Sequence, residues 1–128
     1  MREIIQNGKG NVDMAKKSKR AKATDFDSRT KELIRQRDRY QCLFCRLGKY
    51  GRSECDWMQD IMHYINRSAG GLGVEQNGVV GCRYHHNLLD NGNKGYRKEM
   101  LEDMKEYLQS IYPDWNEEEL YYRKDDFR

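Results

Sequence analysis

The stretch GCRYHHNLLDNG, residues 81–92, sets His85 and His86 side by side between Cys82 and Asp90. The chain holds three histidines in all, so placing two of them on adjacent positions gives each ring its own task. Cys82 and His85 stand three apart, and Cys42 and Cys45 repeat that spacing upstream. Two such pairs can each grip one side of a tetrahedral structural zinc, with backbone amides turning around the sulfurs. A redox CxxC pair and a set of free buried thiols are the competing readings. A redox pair opens a helix after a strand, whereas Cys42 follows a stretch that reads as a helix, which favours zinc. Cys55 is the remaining cysteine; it could replace His85 in a four-cysteine set but has no partner at knuckle spacing.

With His85 assigned, His86 is released. On a helix His86 and Asp90, four apart, share one face. An imidazole and a carboxylate make a mixed site for a divalent cation, with positions open to water and substrate. Asp90 as a simple helix end before NGN is the alternative, since Asp and Asn favour turns.

HYINRSAGG (63–71), EQNGVVGC (75–82) and CRYHHNLLD (82–90) together resemble the HNH endonuclease family, particularly its phage-encoded members with zinc knuckles. The resemblance covers about residues 38–92 and rests on His63, the RSxGG loop, Asn77 and His86, flanked by both knuckles. It implies a small α+β fold, a ββα-metal finger with structural zinc on Cys42, Cys45, Cys82 and His85, flanked by helices. It also implies hydrolysis of DNA phosphodiester bonds with one divalent catalytic metal (Mg, Mn, Ni or Zn). In that scheme His63 is the general base, a role a neutral imidazole of pKa about 6.5 fills at pH 7. Asn77 fixes the segment by hydrogen bonding. His86 and Asp90 hold the ion, which acts as a Lewis acid. Arg67, four residues after His63, meets a phosphate with its fork of donors. A satisfied strand histidine at position 63 and a turn residue at 77 are the plainer alternatives.

One position departs from the family. The residue before the base is usually His, Asp or Glu and completes the metal site; here it is Met62, a thioether that a hard cation does not choose. Asp60, two residues earlier and on the same side of a regular strand, is the candidate third ligand. Water in that position, or loss of activity, are the alternatives.

These residues need elements to place them. DFDSRTKELIRQRDRY reads as a helix capped by Asp27 or Ser28. DWMQDIMHYI and GVVGC read as strands separated by a glycine-rich loop, and RYHHNLLD as a short helix. Residues 25–98 form the expected nuclease domain. Residues 99–128 read as two acidic helices split at Pro113, packed on the domain or trailing it. Residues 1–24 lack apolar periodicity and read as a basic, disordered arm, within which Met14 opens a candidate alternative start, MAKKSKR.

Bulk properties bound the class. The chain has 128 residues, 37% hydrophobic, with a mean hydropathy of -1.12. So short a chain buries a modest core and leans on a staple such as a metal. No long apolar run spans a membrane and no apolar leader opens the chain, so the expected location is cytoplasmic, where thiols stay reduced. Lys and Arg outnumber acids seven to two in residues 1–24 and thirteen to nine in 25–98, while acids lead ten to four in 99–128. A basic front and middle suit a polyanionic partner, against the plainer reading of a soluble protein with an acidic helix at its end. The family resemblance implies that this partner is DNA. Phage or host DNA-processing partners stay unspecified. The runner-up is a zinc-knuckle DNA-binding protein that keeps the HNH fold without cleaving. A protein-interaction adaptor using the acidic tail comes third, because it leaves His63, Asn77, His86 and Asp90 unexplained.

Overall fold

In the run GVVGC every residue is buried, because both faces of that strand are covered. The computed structural model describes residues 17–51, 58–91 and 95–124; the expectations for residues 1–16, Met14 among them, and for Cys55 lie outside the described residues. Strand β1 (Gln59–His63) pairs antiparallel with β2 (Gly78–Cys82), from Gln59 opposite Cys82 to His63 opposite Gly78. One face of the pair packs Ile61 and Val80 against Phe26 and Ile34. The other packs Met62 and Val79 into the larger core of Leu43, Phe44, Leu89, Met100, Met104 and Leu108. The glycines of β2 are required by these contacts. A Cβ at Gly81 would lie 2.3 Å from Met62 Sδ, and one at Gly78 2.7 Å from Phe26 Cζ.

Among the described residues five helices surround the pair: α1 (Lys19–Thr24), α2 (Ser28–Arg37), α3 (Leu43–Leu47), α4 (Arg83–Asn91) and α5 (Arg97–Ile111). Asp27 caps α2 by accepting from the Thr30 amide at 2.7 Å, as one of the two expected caps. Short α3 runs through CLFC and ends on Gly48 at φ 68°, a left-handed residue that turns the chain back. The result is a small α+β fold, helices around a two-stranded antiparallel sheet. No helix among the described residues is long and apolar enough to cross a membrane.

Two expectations are corrected. Lys19–Thr24, expected to lie in a disordered arm, forms α1, capped by Ser18, whose Oγ accepts from the Ala21 amide at 3.0 Å. Lysines and alanines are good helix formers, and the turn is anchored where the Gly73 amide donates to the Ala23 carbonyl at 2.8 Å. After Pro113 the chain makes a short 3-10 turn, Glu117–Leu120, and then an isolated bridge between Tyr121 and Gly71, in place of a second helix. The Leu72 amide donates to the Leu120 carbonyl and the Tyr122 amide to the Gly70 carbonyl, so loop pairing holds this segment extended. The acidic end is therefore packed on the domain: Met100, Met104 and Leu108 of α5 are fully buried in its core.

Asp38 at the end of α2 is a buried junction, 1% exposed. It accepts from Arg37, from the Val80 amide and from the Tyr107 hydroxyl, while Arg37 donates to the carbonyls of Glu75 and Gly78. Helices α2 and α5 are thereby tied to β2 and to the loop before it. A buried ion pair is tolerable only when its polar atoms are met in this way.

Candidate active site and metal centre

The cysteine and histidine pairs converge. Cys42 and Cys45 come from the start of α3, Cys82 from the end of β2 and His85 from the first turn of α4. Their ligand atoms all lie within 4.8 Å of one another, so these four residues could hold a metal ion such as zinc. Tetrahedral zinc bonds of about 2.3 Å to sulfur and 2.05 Å to nitrogen require edges of about 3.8 Å between sulfurs and 3.5 Å between sulfur and nitrogen. Cys45 and Cys82 Sγ are 3.7 Å apart, and His85 Nδ1 lies 3.6, 3.5 and 3.3 Å from Cys42, Cys45 and Cys82 Sγ. His85 Nε2 donates to the Lys49 carbonyl at 3.0 Å, which leaves the Nδ1 lone pair facing the sulfurs. His85 is thus the fourth member of the set.

The second cluster surrounds an open cleft of about 440 Å³, lined by His63, Asn66, Arg67, Ser68, His86, Asp90 and Arg97. His63 closes β1 with its ring against Phe26, centroids 4.2 Å apart. Its Nε2 is 2.9 Å from the Thr24 carbonyl, which can only accept, so Nε2 carries the proton and Nδ1 keeps the lone pair. Burial pushes the His63 pKa below its ordinary value; the Thr24 carbonyl and the Asp25 charge oppose the shift, and Arg67 and His86 add to it. At neutral pH the ring is uncharged.

Asn77 is fully buried in the 3-10 turn Glu75–Asn77 just before β2. Its Oδ1 accepts from the Ile65 amide at 2.7 Å, and its Nδ2 donates to the Ile65 and Leu72 carbonyls at 3.1 and 2.8 Å. One amide side chain thus pins both ends of the loop that follows His63. Arg67 lies in that loop, 56% exposed, and pairs with Asp25 at 2.7 Å. Asp25 also meets Lys17, whose hydrogen bond, with the Arg67 charge behind it, holds the carboxyl below the usual carboxylate range.

His86 and Asp90 share a face of α4, as their spacing requires, with Nε2 3.2 Å from Asp90 Oδ2. Asp60 and Met62 do not extend that set. Met62 is fully buried beneath Gly81, in the core and away from solvent. Asp60, the candidate third ligand, meets His86 at the nitrogen opposite the one that faces Asp90, with Oδ2 2.8 Å from His86 Nδ1. Both Asp60 oxygens also accept from Arg83, at 2.8 and 3.0 Å, and this pairing above all keeps the carboxyl ionised. Among the described residues the Cys42, Cys45, Cys82 and His85 set is the one group of three or more ligand-type side chains with metal-site spacing.

Several site residues carried no signal in the sequence. The Thr24 carbonyl is a backbone atom, and it and Asp25 fall on or beside a segment that reads as unstructured. Arg83 follows Cys82 directly, but its partner Asp60 is 23 residues away. Arg97 begins α5, lines the cleft and donates to the Leu89 carbonyl at 2.8 Å. Compared with protein-family models, curated proteins and solved structures, the chain matches none.

Proposed function

We propose that this protein is a metal-dependent endonuclease of the HNH type that hydrolyses phosphodiester bonds in DNA. The observation that carries the reading is the convergence of a neutral His63, its Nδ1 lone pair free of the Thr24 contact, with Arg67, His86 and Asp90 on one open cleft. His86 Nε2 and Asp90 Oδ2 fit the catalytic cation: their 3.2 Å separation is close to the roughly 3.0 Å between neighbouring ligands on an octahedral ion with bonds of about 2.1 Å. His86 and Asp90 would hold a divalent cation there, which would supply Lewis acidity for phosphodiester hydrolysis. His63 Nδ1 takes a proton from the attacking water. Arg67 turns from Asp25 to the phosphate, and Asn77 keeps the loop carrying it in register with His63.

The surrounding charge supports DNA as the partner. A neighbouring cleft shares His86 and carries Lys31, Arg35 and Arg83. Another shares Arg67 and Ser68 and carries Arg20. The three together make a cationic path across the candidate centre, suited to a phosphate backbone. The alternative, DNA binding without cleavage, draws on the two-donor cation site and the burial of Met62. An adaptor role for the acidic end is disfavoured by the packing of α5 into the core. Plasmid nicking across Mg²⁺, Mn²⁺, Ni²⁺ and Zn²⁺ tests the proposal. Cation-dependent nicks lost in His63→Ala support it, whereas DNA retention without nicks under every cation supports the alternative.

A further inference from the structure

The imidazole of His86 meets a carboxylate at each nitrogen, Asp60 at Nδ1 and Asp90 at Nε2. An imidazole that gives one nitrogen to a cation keeps its proton on the other, so only one of these carboxylates can take an N–H while the other shares the ion. The two acids are not equivalent. Asp60 is closer, 2.8 Å against 3.2 Å, and less exposed, 22% against 55%. It is also fixed from behind by the two-point pairing with Arg83, whose own amide donates to the Met58 carbonyl beside β1. Asp90 sits one turn along the same helix as His86 and lies largely in solvent. Asp60 is therefore the carboxylate placed to take the N–H, from Nδ1.

Resting on the endonuclease reading, we propose that Asp60 is a positioning residue: it holds the His86 proton on Nδ1 and so presents the Nε2 lone pair to a divalent cation shared with Asp90. Direct ligation by Asp60 is disfavoured twice over. Both its oxygens already face a guanidinium, whose positive charge would repel a dication on the same atoms. The ring nitrogens also point in diverging directions, so a group on Nδ1 does not reach an ion on Nε2. A carboxylate behind a ligating imidazole fixes its tautomer and raises its basicity, and losing such a partner typically costs about 10–100-fold in metal affinity.

Histidine-labelled protein saturated with diamagnetic Mg²⁺ gives the tautomer directly in long-range ¹H–¹⁵N correlation spectra at pH 7.5. The His86 signals are identified by their loss in His86→Gln. The expected state is Nδ1–H with an unprotonated Nε2. In Asp60→Ala the ring shifts toward Nε2–H, and Mn²⁺ affinity measured by calorimetry falls by about 10–100-fold. Asp60→Asn, whose side-chain carbonyl still accepts from Nδ1, retains the tautomer and most of the affinity. An Nε2–H or doubly protonated ring in the unsubstituted protein overturns the proposal, as does an Asp60→Ala protein with unchanged tautomer and affinity. Equal loss of affinity in the Asn and Ala variants overturns it in favour of direct ligation. None of these readouts needs DNA. A protein that behaves as expected here yet never cuts DNA refutes the endonuclease reading alone.

Discussion

At His63 two environmental effects oppose each other, and burial outweighs the hydrogen bond to Thr24. The lowered pKa leaves a neutral base at pH 7, so cleavage should rise with pH through a midpoint below about 6.5 and then level off. His63→Ala should remove that limb and slow cleavage by about 10²–10⁴-fold with DNA binding retained, as read from a pH–rate profile at saturating DNA and cation. Stability has the same sign. Between the unfolded value of about 6.5 and the lower folded value, the unfolded chain binds more protons than the folded one. Stability should therefore be lost as pH falls from about 6.5 through the folded pKa, and urea melts across that range measure the loss. Met62 is the residue where position in the motif misleads. By its place before the base, Met62→His should complete a metal site. In the fold that side chain lies in the core against Gly81, where an imidazole has neither space nor a polar partner. Met62→His is predicted to destabilise the protein by about 1–3 kcal/mol and to leave Mn²⁺ affinity no tighter. Tighter binding in a calorimetric titration would show that the side chain reaches the cleft.

Among the elements, α1 changes most in meaning between sequence and structure. It supplies the carbonyl that sets the His63 tautomer, precedes the carboxylate that holds Arg67, and anchors the glycine-rich loop through Gly73. Deleting residues 1–16 should only flatten the salt dependence of DNA binding, through loss of basic charge. Deleting residues 1–24 should in addition lower the cleavage rate at saturating DNA by about tenfold, the scale of one lost orienting hydrogen bond to the base. Equal rates for the two truncations would reduce α1 to a purely electrostatic role. The elements legible in the sequence were those with a local signature. Asp27 ahead of a helical run marked α2, the run GVVGC marked β2, and the CxxC and CxxH spacings marked both halves of the metal centre. Asn77 was legible through its place in a motif, and its three hydrogen bonds are consistent with the role expected of it. What was not legible depends on distant partners. Six residues of α1 are too few to show periodicity, and their helix is held by contact with the loop at Gly73. The segment after Pro113 has helical composition but is drawn out by pairing with Gly71. Asp60 shares the Met62 side of the strand, as alternation requires, yet which nitrogen of His86 it meets depends on how α4 lies across the sheet.

For the whole molecule, the candidate zinc cluster is built into the larger core. The larger core holds Cys42, Leu43 and Phe44 of the knuckle segment together with Val79, Cys82, Leu88 and Leu89, so the apolar packing and the candidate metal ligands are interleaved. The chain enters this core at α3 and leaves it after α5, and the Cys42–Cys45 and Cys82–His85 pairs are where the α3 and α4 segments meet. His86 directly follows His85 on α4, so the turn that brings His85 to the cysteines also carries His86 to the cleft. Structural zinc contributes about 10–16 kcal/mol of apparent binding free energy near pH 7, comparable with the whole stability of a domain this size. Cys42→Ser or Cys82→Ser should therefore abolish cooperative folding, whereas His86→Ala should leave one tightly held zinc and a normal melt. A strong chelator should unfold the protein at neutral pH, with loss of near-ultraviolet circular dichroism and recovery when zinc is restored. Acid should have the same effect, since protons compete with the metal for the three thiolates and the imidazole. The deciding measurement is elemental analysis of freshly purified, folded protein alongside these melts. One zinc per chain that leaves only on unfolding is the expected result; folded protein with no zinc would show that the four residues pack together without a metal.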